Sequence, residues 1–116
     1  MATTLFDLHA ALTTLEEDLG LTSDALAGAL AVDPRTVQRW IAGESLPQHA
    51  GRARIDALIG LRDRLHATFT TAEAVHAWMQ ADNRYLGGLR PADAIRAGRL
   101  DVVDGALEAL DSGIFV

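Results

Sequence analysis

Arg35, Thr36, Gln38 and Arg39 stand within five residues of one another, and together they offer hydrogen-bond donors suited to base edges and phosphates. Glutamine can pair twice with adenine and arginine twice with guanine, whereas a hydroxyl or a second arginine serves the sugar-phosphate backbone. On that chemistry Gln38 and Arg39 are expected to read bases, Arg35 and Thr36 to hold phosphates, and Arg52 and Arg54 to reach the flanking backbone. The competing reading is that this stretch only builds the fold, which a net charge of −6 favours. Arg84, Arg90, Arg96 and Arg99 form a second set, which fits either a polar contact with a partner or a solvated face. Catalytic arrangements are missing. His9, His49, His66 and His76 show no metal-ligand spacing, and Ser23, Ser45 and Ser112 lack a nucleophile-elbow setting. Gly87-Gly88 has neither the glycine spacing nor the lysine of a phosphate loop. Glu16-Glu17-Asp18 reads as a solvated helix face. The chain is therefore expected not to be an enzyme, with no catalytic residue, no metal and no cofactor of its own.

The charge distribution says more than the sum. Between Pro34 and Arg54 four arginines oppose Glu44 alone, so the acidic excess lies elsewhere. All ten cations are arginine, which GC-rich coding explains as well as bidentate chemistry does. Cysteine is absent, so there are no disulfides, thiolate metal sites or cysteine nucleophiles. No run approaches the roughly 18 to 20 apolar residues of a membrane span, and residues 1–20 lack the basic start of a signal peptide. A cytoplasmic protein without membrane contact is expected. The 116 residues, 49% of them apolar, suffice for one compact unit or two small subdomains sharing a core.

The elements that must position these side chains all read as helices. Leu5, Leu8, Leu12, Leu15 and Leu19 make one apolar face, closed by Gly20, and this stripe is also the expected dimer contact. Thr22 or Ser23 caps a second helix bearing Leu26, Ala27 and Leu30. Asp33 caps a third, with Pro34 at its first position, running through Val37, Trp40 and Ile41 to Gly43. Leu26, Leu30, Val32, Val37 and Ile41 are expected to form the wedge between the second and third helices, with Trp40 on the buried side. A fourth helix carries Ile55, Leu58, Ile59 and Leu65. Thr71 caps a fifth bearing Val75, Trp78 and Met79, residues that suit either core or interface. Asp82 to Arg90 is a turn in which Asn83 braces Gly87-Gly88. Pro91 opens a short helix ending at Gly98, and Leu100, Val103, Leu107 and Leu110 define the last. The fold class is all-α.

Leu21 to Gly43 has helix-turn-helix spacing, with the second helix held out for a major groove. It resembles the helix-turn-helix of the Xre-like repressors, above all in Thr36-Val37-Gln38-Arg39-Trp40-Ile41-Ala42-Gly43 followed by Leu46-Pro47. Downstream, the order Trp78, Asn83, Leu86-Gly87-Gly88, Pro91, Asp93, Gly98-Arg99, Val103, Leu107, Leu110 and Gly113 resembles the toxin-binding domain of the Xre/MbcA/ParS antitoxin family. The resemblance implies an N-terminal helix-turn-helix region over residues 1–68 and a small helical toxin-binding subdomain over 69–116. It further implies an antitoxin of a type II toxin–antitoxin system whose partner is a RES-domain toxin that consumes NAD⁺ or transfers parts of it. Such an antitoxin blocks the toxin's active site, and the complex commonly represses its own promoter DNA. A homodimer or a larger hetero-oligomer with the toxin is expected. The toxin-binding residues expected on this basis are Trp78, Asn83, Arg84, Leu86, Arg90, Arg96 and Arg99, with the apolar tail Ile114, Phe115 and Val116 set to enter the NAD⁺ cleft. Two other readings stay open: a free-standing helix-turn-helix regulator that uses the C-terminal module to dimerise, and an adaptor for another protein.

Overall fold

The computed structural model describes residues 5–113, with side chains from residue 8 onward. In chain order the helices are α1 (Leu5–Leu19), α2 (Ser23–Leu30), α3 (Pro34–Ala42), α4 (His49–Thr68) and α5 (Ala72–Gln80). A 3₁₀ turn (Arg84–Leu86), α6 (Pro91–Arg96) and α7 (Leu100–Asp111) complete it, and the described residues contain no strand. Local chemistry sets the boundaries. The Thr22 hydroxyl accepts from the Ala25 N–H at 3.0 Å, the Asp33 carboxylate from the Arg35 N–H at 2.8 Å and the Thr71 hydroxyl from the Ala74 N–H at 3.1 Å. Each satisfies a donor the first helical turn leaves unpaired.

From Leu8 onward the leucine stripe of α1 is spent inside the chain, the Leu5 side chain lying outside the described ones. Leu8, Leu12, Leu15 and Leu19 are buried, covered by packing of α1 against α3, α4 and α5. This corrects the expectation that the stripe forms a dimer contact, since an apolar face already sealed by its own chain has nothing left to gain from a second copy. The core is continuous across positions 68 and 69. One buried cluster joins Leu12, Leu26 and Leu58 to Val75, Met79, Ile95, Val103 and Leu107.

Among the described residues the most extensive helix pairing is between α2 and α6. A Cβ placed on Gly28 of α2 would lie 2.0 Å from the Arg96 carbonyl oxygen, so two backbones meet where no side chain fits. Gly98 completes the contact at φ +79°, with the Gly28 carbonyl oxygen 3.3 Å from its own Cβ position.

Polar ties fix the remaining helices. His9 Nδ1 lies 2.8 Å from the Ile41 carbonyl oxygen, binding α1 to the last turn of α3. His76 Nε2 lies 3.1 Å and 3.2 Å from the Glu17 and Asp18 carbonyl oxygens, tying α5 to the end of α1. Arg64 of α4 reaches Asp104 at 2.6 Å and Glu108 at 3.0 Å on α7, with Asp111 at 3.6 Å. The Thr68 hydroxyl adds a hydrogen bond to Asp111 at 3.0 Å. Because Arg64 is a third exposed, Arg64→Ala should cost only about 1 kcal/mol. Most of that difference should vanish in about 1 M salt, where screening is nearly complete. Urea denaturation at two ionic strengths measures both quantities.

Candidate functional site

Helix α3 presents two faces of opposite character. Val37 and Trp40 are buried and Ile41 half-buried, while Arg35, Gln38 and Arg39 are exposed and Thr36 half-buried. The wedge between α2 and α3 forms with Leu26, Leu30 and Val37 fully buried and Val32 and Ile41 packed at its edge. Trp40 is a core residue: its indole lies over the first turn of α4, 3.3 Å from where a Cβ on Gly51 would sit. The turn itself contains Ala31 at φ 58°, a left-handed conformation that an L-residue adopts at a cost of about 1 kcal/mol. Among the described residues Arg35, Arg39, Arg52 and Arg54 make no ion pair. Arg54 is exposed on α4. Arg52 borders a depression formed by Leu8, Leu46, Pro47, Ile55 and Asp56.

The C-terminal half builds a rim around residues 83–89. The Asn83 side-chain oxygen accepts from the Tyr85 N–H at 2.9 Å, its own N–H donates to the Leu89 carbonyl at 3.0 Å, and its carbonyl accepts from the Gly88 N–H at 2.9 Å. Asn83 therefore closes the loop, as its expected bracing role requires. Gly87 and Gly88 take φ 69° and 96°, values that favour glycine. The loop so closed holds Tyr85 and Leu89 outward, 45% and 56% exposed. Sequence reasoning passed over both because they sit in a stretch with no helical periodicity.

The expected toxin-contact residues fall into three adjoining patches. Trp78, Asn83 and Arg84 line a groove of about 180 Å³ with Tyr85 and Leu110. The Trp78 ring is half-buried and tilted against Phe69, with centroids 5.8 Å apart. Leu86 and Arg99 line a broader, mainly apolar groove of about 580 Å³ with Tyr85, Leu89, Ala94 and Val102. Arg90 and Arg96 border a third hollow beside Thr22 and Ala25 at the start of α2. Tyr85 is the wall between the first two patches and Asp93 between the second and third. Ile114, Phe115 and Val116 lie outside the described residues.

The four rim arginines are not equivalent. Arg90 grips both oxygens of Asp93 at 2.9 Å and donates from Nη1 to the Gln80 side chain at 3.0 Å, which makes it a brace. Its hydrogen bond and charge hold the Asp93 carboxyl below the usual carboxylate range. Arg99 does the same to Asp101 through longer contacts of 3.3 and 3.4 Å. Arg84 and Arg96 form no ion pair among the described residues, although the Arg96 charge also helps to lower the Asp93 carboxyl.

Among the described residues no group of histidine and carboxylate side chains could hold a metal, and no helix is long and apolar enough to cross a membrane. A family model described as the antitoxin Xre/MbcA/ParS C-terminal toxin-binding domain matches residues 64–113, the stretch that builds the rim. The chain is 34% identical over 100 residues to the mycobacterial cidal antitoxin MbcA of Mycobacterium tuberculosis and of Mycobacterium bovis, covering 86% of this chain and 88% of each relative. It is 33% identical over 99 residues to the probable mycobacterial cidal antitoxin Rv3188 of M. tuberculosis, covering 84% of this chain and 82% of that one. A chain in the crystal structure of the M. tuberculosis MbcT–MbcA toxin–antitoxin complex superposes with a TM-score of 0.66 at 31% identity, covering 94% of this chain and 97% of that one. Helix order, rim and relatives agree: this chain belongs to the Xre/MbcA/ParS antitoxin family.

Proposed function

We propose that this antitoxin neutralises a RES-domain toxin that consumes NAD⁺, by seating its C-terminal rim over the mouth of the toxin's active site. The observation that carries the reading is the placement of exposed apolar side chains. Of the large apolar residues left exposed among the described ones, Leu46, Tyr85 and Leu89, two stand on the rim. Exposed aromatic and aliphatic anchors flanked by unpaired arginines are the composition of a protein-binding surface. Trp78, Asn83, Arg84, Leu86, Arg90, Arg96 and Arg99 surround those anchors, and we place the tail Ile114, Phe115 and Val116 in the toxin's cleft. Co-expression with the RES-domain protein encoded beside it should restore growth to cells producing that toxin, and the two chains should co-purify. Continued growth arrest, together with no association between the purified proteins, would sink the reading.

The second activity we propose is binding of promoter DNA, with repression of the pair's own transcription. Arg35 and Thr36 hold phosphates, Gln38 and Arg39 read base edges, and Arg54 extends the basic surface along α4. One unit of this size makes few phosphate contacts, so occupancy requires two units on half-sites about 34 Å apart. The double substitution Gln38→Ala/Arg39→Ala removes two bidentate base contacts, each contributing about 1–3 kcal/mol. Mobility shift on the chain's own upstream DNA should show a loss of at least about 30-fold, with toxin affinity unchanged. Equal binding by the double variant would remove α3 from DNA reading.

A further inference from the structure

Gly105 is the sixth of the twelve residues of α7, and its backbone is ordinary helix, without the positive φ of the turn glycines. Glycine is the weakest helix former after proline, so nothing local in α7 calls for one there. What the missing side chain does is admit Tyr85. A Cβ at position 105 would lie 3.0 Å from the phenol oxygen, 3.3 Å from Cε1 and 3.4 Å from Cζ. The outer end of the ring therefore lies directly on the backbone of α7. Gly60, also inside a helix, has nothing within 4 Å of its Cβ position, so the contact belongs to position 105 and not to helical glycines in general.

The ring laid down there divides two grooves. Tyr85 lines the narrower one with Trp78, Ala106 and Leu110, and the broader one with Leu89 and Val102. Val102, Ala106 and Leu110 all belong to α7, so the ring stands over that helix with Gly105 beneath its outer end. Given the docking surface proposed above, on which this rests, we infer that Gly105 is a positioning residue of the rim. It acts through Tyr85, setting the height and tilt at which the ring stands between the grooves. A methyl group added at 105 would push the phenol end outward by about 0.5 Å before ordinary contact distances returned. Tyr85 is 45% exposed and sits in a loop, so the ring yields and the fold survives the change. The toxin, packed against both sides of that ring, has no such freedom. Interface cores are packed as tightly as protein interiors, so a displaced wall overfills one groove and leaves a gap in the other.

Gly105→Ala separates seating from folding, because the two effects carry opposite signs. The melting temperature of the full chain should rise by a few degrees through helix propensity. Affinity for the purified RES-domain toxin encoded beside it, measured by calorimetry, should fall about 5- to 20-fold. In a Tyr85→Ala background, with its fold checked by circular dichroism, Gly105→Ala should cost no further affinity, since no ring is left to displace. Gly60→Ala should gain stability in the same way and bind the toxin as wild type does. Unchanged affinity in Gly105→Ala would overturn the assignment. So would an equal loss in the Tyr85→Ala background, which would mean that position 105 acts without Tyr85. A melting temperature below wild type would reduce Gly105 to a folding residue and overturn it as well. A wild-type chain that fails to bind the toxin would overturn the docking surface and this role with it, an outcome visible before any variant is made.

Discussion

Replacing Gly28 by alanine is expected to destabilise the chain by about 3 kcal/mol or more, the upper range for overpacked cores. The added methyl would lie 2.0 Å from the Arg96 carbonyl oxygen and 2.9 Å from its carbon, and both are backbone atoms. A flexible side chain could swing aside, but here α6 must lift off α2 as a unit. For a chain of this length that corresponds to a fall in melting temperature of more than about 10 °C. Gly60 is the control. It lies mid-way along α4 with nothing within 4 Å of its Cβ position, so Gly60→Ala should stabilise by about 0.5–1 kcal/mol through helix propensity alone. Thermal melts of the two variants should move in opposite directions. A Gly28→Ala melt that coincides with wild type would mean that α2 and α6 are not in backbone contact.

The second large effect concerns the rim. Leu89→Asp should weaken toxin binding by about 30- to 150-fold, the cost of losing one interfacial anchor of about 2–3 kcal/mol. Leu89 belongs to no buried cluster, so folding stability should change by less than about 0.5 kcal/mol. Tyr85→Ala should have a comparable effect on binding, because Tyr85 is the wall shared by two of the three patches. Its cost to the fold should be greater, since its ring fills the space over Gly105, whose Cβ position lies 3.0 Å from the phenol oxygen. Arg84→Ala and Arg96→Ala should each weaken binding less, in a salt-dependent manner. Calorimetry against the purified toxin separates these outcomes. Wild-type affinity in Leu89→Asp would move the docking surface off the rim.

Much of the fold is legible in the sequence because its punctuation is chemical and local. Thr22, Asp33-Pro34, Thr71 and Pro91 mark helix starts, and Gly20, Gly43 and Gly98 mark ends, each through a backbone need met within four residues. The leucine period of α1 announces a covered face but not what covers it. That is why the stripe, expected to meet a second copy, meets α3, α4 and α5 instead. Gly28 carries no signal at all, since a lone glycine in a helix looks like a weak helix former until the carbonyl from residue 96 arrives. At the rim, Asn83 and the glycine pair are readable as turn chemistry. Tyr85 and Leu89 are not, because exposure in an aperiodic loop depends on how hydrogen bonds from Asn83 fold it. Arg90 looks like its three neighbours in the sequence, and only geometry shows its guanidinium committed to Asp93 and Gln80.

The unbroken core has a consequence for how long such a molecule lasts in a cell. A protease cutting the short link between α4 and α5 would leave two fragments, each exposing leucines and valines that only the other can cover. Each half would lose the cover that the other supplies to its core. One cleavage there would therefore loosen the helix-turn-helix half and the rim together, so that a single cut limits the lifetime of both.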